Sequence, residues 1–258
     1  MIKKLQPIRY ELFKTVHRSE IYIFGGILLL LSSVFAYLIG TDSNVLILSG
    51  TEKMGGMLFY IIVYSMLTSL LLFPITIISI TAGLWANEFE SGTMAYSIAW
   101  MSSRKYIFTI KYLETIALIL VYNIFLILCS VLSFIYFGQK GQMYSIELLY
   151  GVKDQVIKFI LVAIMNSFFL SALSTLCCMI GNTSLAIIVS VATIIIFRIF
   201  EQVDCIKEVI PTYVINPANV LKDTFKSNDL YDCIIYTVLI SGGIYALAYY
   251  VFKRKNIK

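Results

Sequence analysis

Long apolar runs separated by short polar segments dominate this 258-residue chain. A helix needs about 20 predominantly apolar residues to cross a bilayer core. Six stretches meet or approach that length: 21–39, 57–85, 112–137, 156–180, 185–200 and 231–252. Lipid offers an open backbone no hydrogen-bond partner, so such runs predict helices. The expected fold class is all-α: a polytopic membrane protein with six transmembrane helices in one domain, 1–258. The second run holds Pro74, which predicts an interruption. Gly181 and Asn182 leave room only for a tight turn, so the fourth and fifth spans are expected to form a helical hairpin.

The polar segments carry patterns of their own. Within 1–20, Ile8, Leu12 and Val16 recur at helical spacing beside Arg9, Lys14 and Arg18. That pattern predicts an amphipathic connecting helix lying at the membrane interface; a plain extension of the first span is the competing reading. In 86–111, Gly92 breaks the helix leaving the second span. Thr93 can cap a short helix from Met94 to Trp100, and Ser102 or Ser103 can cap the next. The short helix carries Met94, Ile98 and Met101 toward one side, with Tyr96 and Trp100 also large and apolar. It is rimmed by Glu88, Glu90, Arg104 and Lys105. Two readings fit, a docking surface for another protein and a helix resting in lipid headgroups. In 201–230, the apolar piece 206–220 is too short to span and is broken by Pro211 and Pro217. A re-entrant or interfacial helical pair is expected there, able with 140–155 to lid one end of a pathway; simple loop packing is the alternative.

Composition agrees with this picture. The chain is 59% hydrophobic and 14% charged, with a mean hydropathy of +0.86. Soluble domains are nearer 45–50% apolar and about 25% charged, which argues against a soluble enzyme or a nucleic-acid binder. Segments 1–20, 86–111 and 253–258 hold 12 of the 20 Lys and Arg. The positive-inside rule therefore places both termini in the cytoplasm. The net charge of +5 reads as that topology signal plus attraction to anionic lipid. Four of the five cysteines fall inside spans, so no outer disulfide within the chain is expected. The lone His17 cannot complete a zinc site.

Candidate chemistry is sparse. There is no phosphate-binding GxxxxGK[ST] loop, no HExxH and no plausible Ser–His–Asp set. Charges within spans are costly in lipid, and none sits near a span centre. Lys111–Glu114 and Arg198–Glu201 are i, i+3 and read as surface pairs. Asn166, Ser167, Ser171 and Ser174 suit helix contacts better than a pathway wall. An uncharged interior argues against small ionic cargo.

The string Glu88-Phe89-Glu90-Ser91-Gly92-Thr93, followed by Ser103-Arg104 and Lys111, resembles the pattern after the second span in permease subunits of type-2 ABC exporters. The six spans, the amphipathic leading helix and the apolar segment before the last span extend the likeness over the whole chain. Met101 stands where the family often has Pro. The resemblance implies that two permease subunits, identical or paralogous, pair in a bacterial plasma membrane. Each would contact a separate cytoplasmic ABC ATPase that binds ATP and Mg, so this chain would hold no cofactor and would not itself be an enzyme. It also implies that the Gly92–Met101 helix is the coupling element, built from Glu88, Glu90, Ser91, Gly92, Thr93, Tyr96, Trp100, Met101, Arg104 and Lys111. Spans two and five would line the path, with Pro74, Thr76, Thr81, Ser190 and Thr193 as candidate path residues. Short members of the family include exporters of antimicrobial peptides and peptide toxins, so an amphipathic peptide is the expected cargo. On this reading Glu88→Lys dislodges the ATPase and leaves the permease folded. A non-transporting immunity or sensor protein and an ion-coupled secondary transporter are the alternatives.

Overall fold

A computed structural model describes residues 13–41, 53–101, 103–140, 144–150, 152–153, 155–221, 225 and 227–255. The helices are α1 (Ser19–Gly40), α2 (Gly56–Ser69), α3 (Leu72–Glu90), α4 (Thr93–Met101) and α5 (Arg104–Phe137), then α6 (Val156–Ile180), α7 (Thr183–Phe200), α8 (Pro211–Val214) and α9 (Ser227–Arg254). The fold is all-α, and six of these helices are long and apolar enough to cross a membrane: α1, α3, α5, α6, α7 and α9. Residues 13–16 form a helical turn before α1. Extended backbone at Arg18 separates that turn from the span, in keeping with a distinct leading helix. Most of that expected helix, 1–12, lies outside the described residues.

The expected second span is two helices in line. Leu70 N–H donates to Met66 O and Leu71 N–H to Thr68 O, closing α2. Leu71 takes a left-handed conformation, φ 61°, before α3 begins. The cause is Pro74, one turn further on. It has no N–H for the Leu70 carbonyl, and its ring would collide with that carbonyl in a continuous helix. The break therefore falls just upstream of the proline, which itself sits harmlessly in the first turn of α3.

Together α2 and α3 run antiparallel to the 34-residue α5, which is about 51 Å long. At one end Phe59 stacks on Phe134 at 4.9 Å; at the other Trp85 meets Phe108 at 5.1 Å. The first end also holds the close of α1, where any side chain on Gly40 would strike the Phe137 carbonyl. The second end gathers the starts of α1, α5 and α7 and the ends of α3, α6 and α9. These are called here the far end and the near end. α6 is the hub, packing on α3, α5, α7 and α9. Its polar residues serve those contacts: Ser167 accepts from Asn123 at 3.1 Å, Ser171 bonds Tyr245 at 2.9 Å, and Ser174 donates to Ile78 O at 3.1 Å.

Beside the α2–α3 break the segment after α7 differs from the expected helical pair. It makes three short turns, Lys207–Val209, Pro211–Val214 and Pro217–Leu221. Pro211 and Pro217 open turns rather than break a helix, because their fixed φ suits a first helical position. Residues 144–150 fold onto the start of α2, where Met57 N–H donates to Leu148 O at 3.0 Å.

Candidate functional site

The near end carries the motif residues. Gly92, at φ +70°, turns the chain sharply out of α3, a conformation glycine adopts without steric cost. Thr93 is already the first residue of α4, and the Gly92 carbonyl accepts from Ala95 N–H at 3.1 Å. The cap position thus belongs to Gly92, one residue before the Thr93 expected from the sequence. Ser91 and Thr93 bond each other through their hydroxyls at 3.0 Å. Ser103 sits at the N-cap of α5 without a side-chain capping bond, and Ser102 lies outside the described residues.

α4 is mounted by its apolar side. Met94 is fully buried, and Ser97 is buried beside it, donating to Thr93 O at 3.2 Å. Ile98 packs against the core. Met94 and Ile98 therefore seat the helix on its own protein and are not free to meet a partner. Tyr96 faces outward, 78% exposed. The side chains of Trp100 and Met101 lie outside the described set.

Glu88 is not a rim residue. Its side chain is buried under three cations, two from the leading segment and one from α5. Oε1 takes Lys14 at 2.7 Å and Arg18 at 3.0 Å, and Oε2 faces Lys111 Nζ at 2.7 Å. Lys111 also approaches Glu114 at 3.8 Å, and Thr15 donates to Glu114 Oε1. The Lys111–Glu114 pair expected at the surface is buried, because the turn before α1 lies over it. Arg18 reaches further, donating to Gly83 O. A side chain on Gly83 would sit 2.5 Å from the Glu20 carboxylate, so the glycine admits this close approach. The cluster bolts the leading turn, α3 and α5 together. Removing one partner of such a buried set costs about 3–5 kcal/mol. The expectation that Glu88→Lys leaves the fold intact is corrected accordingly: it would place a fourth cation among three with no carboxylate between them.

Two further motif residues are internal ties. Glu90 accepts from Thr183 N–H at 2.6 Å, capping α7 where the helix dipole favours a carboxylate. Arg104 donates to the carbonyls of Lys253 and Lys255 at 2.8 and 3.0 Å, closing the C-terminus of α9. Lys255 in turn donates to Met179 O at 3.0 Å and lies over the Phe89 ring. Partial burial holds its ammonium below the usual lysine range.

The path residues split. Thr76, Thr81 and Ser190 are buried and donate to carbonyls one turn back in their own helices. Thr193 does the same from an outer face. Pro74 alone among the five lines a cavity, of about 550 Å³, at the α2–α3 break. Arg198, read from sequence as a surface partner of Glu201, reaches into that break and donates to Thr68 O and Ser69 O, the latter at 2.8 Å. Its partners are some 130 positions away in the chain, beyond the reach of local spacing. Among the described residues no His/Cys/Asp/Glu group could hold a metal ion.

Comparison with family models, with curated proteins and with solved structures finds no match.

Proposed function

We propose that this chain is the membrane-spanning permease subunit of an ATP-driven exporter of the type-2 ABC kind, set in a bacterial plasma membrane with both termini inside. The observation that carries the reading is the mounting of α4. A nine-residue helix joins α3 to α5, two long helices locked together by a buried charge cluster, and it holds Tyr96 outward. A force applied to such a helix passes directly into two spans. The resemblance of the Glu88–Thr93 and Ser103–Arg104 segments to the family pattern gives that force a source, a cytoplasmic ATPase seated on Tyr96.

In this mechanism two permease subunits pair and each docks one ATPase. Closure of the ATPases on ATP pushes α4, and the rigid α3–α5 pair tilts as a unit. The break at Leu71 lets α2 follow a different course, which opens a way outward. The charge-poor interior suits an amphipathic peptide, exported for secretion or self-protection. ATP hydrolysis belongs to the partner, and this chain contributes no catalytic residue. The test is purification of the tagged protein from its native membrane in gentle detergent, with mass spectrometry of what co-elutes. The reading expects a stoichiometric P-loop ATPase, lost in Gly92→Leu. A chain that elutes without one, under conditions that keep other complexes together, would turn attention to a non-transporting or ion-coupled protein.

A further inference from the structure

The cavity at the α2–α3 break is polar where its surroundings are apolar. Arg198 and Glu201 line it with opposite charges, and Asn166, Gln202 and Asn216 add side-chain amides. Two more lining residues, Ser65 and Thr212, carry buried hydroxyls with no hydrogen-bond partner. Arg198, in the last turn of α7, meets the end of α2 at the cavity wall.

Arg198 has five N–H donors, so its bonds to Thr68 and Ser69 leave others for a ligand. Glu201 can accept from a cation one turn away. The pair therefore suits a ligand carrying an anion and a cation a few ångströms apart. On the same turn of α7, Ile195, Ile196 and Ile199 are exposed on the outside. Polar lining beside an apolar outer surface fits a molecule with a charged head and hydrocarbon tails. We infer that this cavity binds the zwitterionic head of a phospholipid, its phosphate on Arg198 and its ammonium on Glu201, with the acyl chains along α7. The cavity volume lies within the range of small-molecule sites. This inference does not depend on the exporter reading.

The test reconstitutes the full chain in nanodiscs of equimolar phosphatidylethanolamine and phosphatidylglycerol, re-extracts it, and counts retained lipid by native mass spectrometry. The expected result is one retained phosphatidylethanolamine per chain, enriched about tenfold over phosphatidylglycerol, as one charged hydrogen bond allows. Glu201→Gln should abolish that preference, because the ammonium loses its partner. Ser65→Leu, which fills the cavity without touching Arg198, should lose the retained lipid while the protein still unfolds at its usual temperature. Equal retention of the two lipids, or an unchanged ratio in Glu201→Gln, would overturn the inference. So would displacement of the lipid by a cationic amphipathic model peptide at one peptide per chain, which would assign the cavity to peptide.

Discussion

The two polar regions of this bundle solve opposite problems. At the near end Glu88 draws Lys14, Arg18 and Lys111 onto a single carboxylate, and three chain segments are fixed in one arrangement. At the α2–α3 break a single cation, Arg198, ties the broken helix end through two backbone carbonyls, beside a polar-lined cavity. A carboxylate shared by three cations makes a rigid joint, and a guanidinium that uses two bonds on carbonyls keeps donors for something else.

The sharpest way to break this contrast is at Glu88. Glu88→Gln removes the charge that balances three cations at a buried position and should destabilise the protein by about 3–5 kcal/mol, read as a large fall in the thermal midpoint in detergent. An unchanged midpoint would mean that the near end is not the rigid joint. Arg198→Gln should cost less, about 1–3 kcal/mol, by leaving the carbonyls of Thr68 and Ser69 short of donors. Faster hydrogen exchange confined to residues 66–72 would identify that cause, whereas loss spread over the bundle would contradict it. Arg104→Ala should cost about 1 kcal/mol, the usual worth of a net hydrogen bond, and its local sign is earlier proteolysis of the C-terminal turn of α9. Tyr96→Ala should leave stability unchanged within about 0.5 kcal/mol and still abolish ATPase co-purification. A drop in stability as large as that of Arg104→Ala would make Tyr96 a packing residue.

Much of this architecture can be read from the chain because its signals are local. The apolar run 156–180 matches α6 at both ends, since lipid-length helices announce themselves by composition. Gly181-Asn182 marks the hairpin, and Gly92 marks the turn into α4 with a backbone need that only a few residues meet. Pro74 signals the break in the second span but not its place, because the proline disturbs the carbonyl four residues before it. The site is less legible. Glu88 looks like the rim of a docking helix until Lys14 and Arg18, 74 and 70 positions earlier, are folded over it. Arg198 pairs with Glu201 as its spacing suggests, but nothing in that spacing points to Thr68 and Ser69 on α2. Both gaps follow from the same limit: spacing of three or four residues describes one helix, and these charges are held by several.

The central claim is that the chain meets its partner at α4 on the near end and not at the far end. A photo-crosslinking amino acid placed at Tyr96 or at Ile146 tests it directly, since these are exposed apolar positions at opposite ends, 78% and 91% exposed. Illumination in intact cells, followed by purification and mass spectrometry, should give an adduct with a P-loop ATPase from position 96 and none from position 146. No adduct at position 96, or the same ATPase captured at position 146, would contradict the account.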